Sequence, residues 1–495
     1  MRNRIKLFPL NLLLFVTTIL SAQSPMAPGF NMLETGKFAD AKLFFEEYLK
    51  TDSDNKTAKL CYGRAVGLSG DPQKAKQIFG ELLELEPKNL EFRINASECL
   101  LWNKEFDEAL VSYSELEKSY DPNPIIELGL ANTYSNLKKY NKAIHHYKKG
   151  ISLNPKILGI YIGLAYTYQA NNENKYALET IEKALELDPK HKQLSGLKKN
   201  IVQKYKPQIV QKGIITSDSG DNQSLNSKTD LTYPLSTKTS IGAYYHFRES
   251  SNTVIDINSS RQKTFGITSS YQITNRINLM ANLGYLDIVG DNTYSDFIYK
   301  FGSNIKLSHN QDLNIYYQKE YHNFNVQLIN SEISQNHLFA NYHIITKYDI
   351  GLFTQYYYTT QSDDNKRNLL FTSLYYLLKK STPIKVGLNS VMMSFDKERA
   401  EVYFSPEKYF VFEAFLDFSF TQPTTKIILD GNAAYGYQII NSENKQQSFR
   451  MKLNVGYKFS DNIKLMSYGE YSNQAVGNAS GFEFNEIGIV LKCNF

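Results

Sequence analysis

The sequence predicts two architectures in one chain: an all-α helical-repeat solenoid, then an antiparallel transmembrane β-barrel. Three observations carry this. Residue types recur at a spacing of 34 through roughly the first two hundred positions. Beyond Lys206, apolar and polar residues alternate with a period of 2. The polar gaps between those alternating stretches are short and long by turns.

The repeat comes first. Ala41, Ala75, Ala109, Ala143 and Ala177 stand 34 apart, and four residues on come Phe45, Phe79, Tyr113, Tyr147 and Ile181. A third column holds Gly29, Gly63, Ser97, Ala131 and Ala165, and a fourth holds Ser53, Pro87, Asp121, Pro155 and Pro189. Small residues let two helices approach, a large residue one turn later fills the gap, and proline stops the helix. These columns resemble the tetratricopeptide repeat over about residues 25–190, and imply five helical pairs stacked into a superhelix with a binding groove. His191 to Lys204 reads as a capping helix. One column expected on the groove is aliphatic (Leu60, Ile94, Leu128, Ile162), unlike repeats that clamp a terminal carboxylate. Arg64, Glu98, Asn132, Tyr166 and Gln169 are the expected contacts for a protein partner, with packing of the superhelix as the alternative role.

In the second half, Ile487, Ile489, Leu491, Cys493 and Phe495 fall on one face, opposite Glu486, Gly488, Lys492 and Asn494. Alternation of this kind suits strands with one face to lipid and one to a wet lumen. Sixteen such stretches run from 208–217 to 482–495, with fourteen or twelve strands as alternatives. Short gaps such as His309-Asn310-Gln311 and Ser460-Asp461 follow the even strands. Longer polar gaps such as 249–260, 323–332 and 361–367 follow the odd ones, as in barrels with short periplasmic turns and long outer loops. Strand parity turns Arg248, Lys300, Lys306, Glu320, Glu413, Asp417 and Asp430 into the lumen, with Arg450, Lys452, Lys458, Lys464, Glu470, Glu486 and Lys492. Tyr244, Tyr316 and Tyr409 share those faces, where they could stack on sugar rings.

Composition agrees with both halves. The chain has 495 residues, 42% hydrophobic and 21% charged, which excludes global disorder. No apolar run of 18 occurs after the first twenty residues, which excludes a multi-span helical membrane protein. The net charge of +5 is too small to argue for nucleic acid. There are 36 Tyr and 29 Phe against 1 Trp, and lipid-facing strands and interfacial girdles use such residues. Arg2, Arg4 and Lys6, the apolar stretch to Leu20 and Ser21-Ala22-Gln23 read as a secretory signal peptide over 1–22. The domains are then 1–22, a solenoid over 23–206 and a barrel over 207–495.

The stretch Tyr403-Phe404-Ser405-Pro406-Glu407-Lys408-Tyr409, entering a strand from a long loop, resembles the Tyr-x-Ser-Pro-x-x-Tyr stretch of YaiO-like outer-membrane barrels. Exopolysaccharide-export porins, such as those that serve cellulose synthase and poly-N-acetylglucosamine export, share the order of repeats before barrel. The resemblance implies a bacterial outer-membrane protein, in contact with lipid, whose repeats lie in the periplasm and bind a protein partner. It also implies export of a polysaccharide or other polymer. The alternative is a closed barrel that anchors the solenoid for periplasmic partners.

Catalysis is not expected. His145-His146 make no i, i+4 metal pair, and His246, His309, His322, His337 and His343 are scattered. A lipid hydrolase would need a serine beside a histidine on one strand, and none lies two places from His343. Cys61, Cys99 and Cys493 make no metal spacing and no disulfide framework. The chain reads as a non-enzyme with no cofactor and no metal.

Overall fold

A computed structural model describes residues 25–254, 259–379, 383–421, 425–442, 445–474 and 483–495. The leader expected at 1–22 lies outside them. The chain forms two compact units that divide at Val202 and Gln203, four residues from the expected boundary.

The first unit is five helical pairs and a cap: α1 (Ala27–Glu34) with α2 (Phe38–Thr51), α3 (Lys56–Leu68) with α4 (Pro72–Leu85), and α5 (Leu90–Trp102) with α6 (Phe106–Ser119). Then come α7 (Pro124–Asn136) with α8 (Tyr140–Leu153), α9 (Leu158–Ala170) with α10 (Asn174–Leu187), and α11 (Lys192–Gln203). The alanine column is wholly buried at all five positions, as are Phe45, Phe79 and Ile181 four residues on. The small column is small for a steric reason: a Cβ on Gly63 would lie 2.7 Å from the Phe79 ring. Asn55, Asn89 and Asn123 form a further column 34 apart, and their side chains accept from backbone N–H groups opening α3, α5 and α7.

The second unit is a closed barrel in which each strand pairs with its neighbours in sequence and β1 pairs with β16. The strands are β1 (Gln208–Asp218), β2 (Asn222–Pro234), β3 (Thr239–Asn252), β4 (Ser260–Gln272), β5 (Ile277–Val289), β6 (Tyr294–Ser308), β7 (Gln311–Tyr321) and β8 (Ser334–Ile345). They continue as β9 (Ile350–Gln361), β10 (Lys366–Lys379), β11 (Ile384–Phe395), β12 (Tyr409–Ser419), β13 (Ile427–Ile440), β14 (Gln446–Lys458), β15 (Ile463–Ser472) and β16 (Phe484–Asn494). All sixteen stretches are strands, so fourteen and twelve fall away. The first hairpin is regular, running in register from Gln208 opposite Thr232 to Ser217 opposite Gln223. The gap after β1 is a tight turn, stabilised by Asp218 accepting from Gly220 N–H, and so departs from the long-gap pattern of the odd strands.

Parity sorts the barrel walls. Phe265, Ile267, Leu283, Phe297, Leu374, Met392, Phe412, Leu453, Ile487 and Ile489 are exposed on the outside. The residues between them face in.

Candidate functional site

The lumen is built from the inward residues. Near the β12–β14 wall, Glu413 is 1% exposed and accepts from Arg450 Nη2 at 2.5 Å and Nε at 2.8 Å, Asn389 at 2.8 Å and Gln474 at 2.7 Å. A buried carboxylate persists when each lone pair is met in this way. Lys385 donates to Asp417 at 3.3 Å, and Lys452 donates to Glu470 at 2.6 Å while lying 4.7 Å from the Tyr468 ring centre. Tyr468 in turn donates to Glu486 at 2.7 Å. Asp430 accepts from Ser419 and Thr421. Lys458, Lys464 and Lys492 stand opposite one another on β14, β15 and β16 at the short-turn end, a basic row.

On the β6–β9 wall, Lys300 Nζ sits 3.6 Å over the Tyr316 ring, which also stacks on Phe339 at 4.2 Å between centres. Lys306 lines a cavity with Asn304, Asp312, Asn314, Asn341, His343 and Phe353. Of the three inward tyrosines, Tyr244 is buried and donates to Asn282 at 2.8 Å. Tyr409 is buried and donates to Gln438 at 2.8 Å. The Tyr316 ring is taken up by Lys300 and Phe339, so each of the three is already engaged within the barrel.

At the long-loop end the gap 323–332, expected as a polar outer loop, instead carries helix α12 (Val326–Asn330) and folds into the barrel. Val326, Leu328 and Ile329 are buried. Hydrogen bonds hold this segment to strand after strand. Arg248 donates to the Phe324 carbonyl at 2.7 Å, Ser260 to Asn330 at 2.9 Å and Tyr294 to the Ile329 carbonyl at 2.9 Å. On the far side Leu328 and Ile333 pack with Met393, Phe395, Tyr403, Tyr409, Val411 and Ile440. Contacts to β3, β4 and β6 on one wall and to β11–β13 on another make this segment a crossbar of the lumen. The signal for it was Phe324, Val326, Leu328 and Ile329, an apolar content that a solvated loop does not need.

The Tyr403–Tyr409 stretch builds the same end. Tyr403 donates to Gln361 at 2.6 Å and accepts from Asn365 at 2.7 Å, and its ring stacks on His322. Ser405 accepts from Arg399 N–H at 2.6 Å, and the Pro406 carbonyl accepts from Phe395 N–H at 3.1 Å. These residues shape a loop.

Glu320, His337 and Thr359 form a carboxylate–imidazole–hydroxyl line, with His337 2.9 Å from Glu320 and 2.8 Å from Thr359. Thr359 is fully buried, leaving no room for a substrate carbonyl. His343 turns inward, 2.7 Å from the Tyr375 hydroxyl.

In the solenoid, Leu60, Ile94 and Leu128 are buried core residues, and Ile162 of the same column is half-buried. Arg64 and Asn132 are also buried, and Asn132 accepts from Tyr147 at 2.7 Å, which commits it to packing. Glu98, Tyr166 and Gln169 are half-buried. Burial pushes the Glu98 carboxyl up to about 7, against the pull of Arg64. His146 meets the buried Glu127 at 2.8 Å. Glu117, Glu127 and His146 lie close enough to ligate a cation, but Lys149 Nζ already bridges the carboxylates at 2.8 and 2.6 Å.

Models of the tetratricopeptide repeat match residues 68–132, 125–157 and 158–191. The first unit is a tetratricopeptide-repeat solenoid, and the second a sixteen-stranded antiparallel barrel. A solved structure described as a bacterial polysaccharide outer membrane secretin is similar at 11% identity and TM-score 0.49, covering 59% of this chain and 99% of that one. A thermophilic tetratricopeptide protein of Thermus thermophilus is similar at 21% identity and TM-score 0.34, covering 36% of this chain and 97% of that one. MamA from Desulfovibrio magneticus is similar at 20% identity and TM-score 0.27, covering 33% of this chain and 93% of that one. No curated protein matches the chain significantly.

Proposed function

We propose that the chain is a bacterial outer-membrane conduit for a polymer, polysaccharide first among them, with its solenoid in the periplasm as a docking site for a protein partner. The observation that carries this is the contrast between the two barrel faces. Outside, large apolar side chains from Phe265 to Ile489 stand exposed, an exterior that calls for hydrocarbon around it. Inside, below the crossbar, charged, amide and hydroxyl groups line the wall, which suits water and a polar cargo. The short turns and both barrel termini share one end, which is the periplasmic end in such barrels. The role is passage, not catalysis, and no cofactor enters it.

The crossbar and its apolar cluster favour a second reading, a closed barrel that anchors the solenoid. Conductance of the purified protein in a planar bilayer separates the two. For a conduit, deleting 324–332 turns a small or flickering current into a steady one of several-fold higher conductance. An anchor stays silent in both forms, and crosslinking then recovers only proteins bound to the solenoid.

A further inference from the structure

The register of the inner wall brings together side chains that lie far apart in the chain. Gln272 on β4 stands opposite Asn278 on β5, which stands opposite Asn304 on β6. Asn304 stands opposite Asn314 on β7, Asn314 opposite Asn341 on β8, and Asn341 opposite Gln355 on β9. Six consecutive strands thus place a carboxamide in one cross-strand row, all with inward parity and all half-buried. The row ends against Phe371 on β10, and Phe353 one step away packs edge-on to it at 6.0 Å. Asn314 donates to Asn341 at 2.7 Å, which orients part of the row. Its middle (Asn304, Asn314, Asn341) lines the cavity that also holds His343 and Phe353.

We propose that this amide row is a binding track for an uncharged, hydroxyl-rich glycan. A carboxamide presents one acceptor oxygen and two N–H donors, which matches hydroxyls that both donate and accept. Half-buried Phe353 and Phe371 offer apolar surface to a sugar face. No member of the row is charged, and Lys306 and Asp312, two residues along β6 and β7 from it, face each other with opposite sign. The basic row of Lys458, Lys464 and Lys492 lies on the other wall. Strands are about 4.8 Å apart, so six amides extend over roughly 24 Å. Because barrel strands tilt by about 40°, the hydrogen-bonding direction runs obliquely, so the row rises along the wall as it passes round it. Near-equivalent sites at close spacing bind weakly and repeatedly, which lets a chain both enter and leave. The track deepens the conduit reading and rests on it only for the direction of travel.

The test is calorimetric binding of cello- and malto-oligosaccharides to the full-length protein in detergent, beside anionic oligogalacturonate and cationic chitosan oligomers. Uncharged oligosaccharides bind, and the Asn304→Ala/Asn341→Ala pair weakens them at least tenfold. The Asn304→Asp/Asn341→Asp pair shifts preference toward the chitosan oligomers, an effect that a structural role for the amides would not produce. Heat-modifiable electrophoretic mobility verifies that each barrel is folded. Absence of binding by the uncharged oligosaccharides, stronger binding of oligogalacturonate, or unchanged affinity in a folded alanine pair overturns the track. Bilayer conductance is read separately: binding without a pore refutes the conduit and leaves the track, and a pore without binding does the reverse.

Discussion

Glu98 is the residue whose titration the repeat domain feels most directly. Burial lifts its folded carboxyl to about 7, above the ordinary value of 4.5. Between those values the unfolded chain has lost the proton and the folded chain keeps it. Stability is therefore fully present below about 4.5 and declines as pH rises toward 7, by up to roughly 3 kcal/mol. Glu98→Gln removes the dependence. Helical melting of the full-length protein at pH 5 and pH 7.5 checks this, and an equal pH effect in the variant contradicts it. At the same scale, Arg64 and Asn132 show how a plausible groove residue becomes interior. Sequence spacing sets the helix face, but the angle at which neighbouring pairs stack decides whether that face is open.

Among elements, the loop between β11 and β12 and the crossbar α12 form one unit. Tyr403 ties the loop to Gln361 and Asn365, and its ring meets His322, the residue that opens the crossbar segment. Tyr403→Phe keeps the ring and removes the hydroxyl bonds, leaving the buried Gln361 and Asn365 short of a partner, at a cost of about 1–3 kcal/mol. Faster limited proteolysis within 396–408, with heat-modifiable mobility retained, is the expected outcome. Equal cleavage rates would show that the hydroxyl does not hold the loop. The repeat helices, by contrast, were readable from end to end, because each is fixed by neighbours 34 residues away that bear the same residue types. The strands were readable for a similar reason: burial of one face imposes a period of 2 on every strand, whichever strand lies beside it. The long gaps carry no periodicity, so their fate was not readable in detail. The apolar residues of 324–329 were the one trace of where that loop goes.

For the whole molecule, the exterior decides the environment. Leu453 lies mid-strand on β14 and points out. Leu453→Arg costs about 2–4 kcal/mol if hydrocarbon surrounds it and almost nothing if water does. Reversible unfolding of the protein in lipid vesicles measures the difference, and a change below about 0.5 kcal/mol, the usual range for surface substitutions, would place that face in water.

Two periods and one spacing settled the element types, their order and which residues of each strand face inward, since these follow from backbone geometry and the burial of apolar side chains. Register and packing settled the rest. They turned the Tyr403–Tyr409 stretch into a loop support, drew α12 across the lumen and gave Glu413 its ring of donors. They also set six amides from six strands in one cross-strand row. Those relations join residues as far as 112 positions apart, from Leu328 to Ile440. Closure of the barrel brings them together, and no local pattern records it.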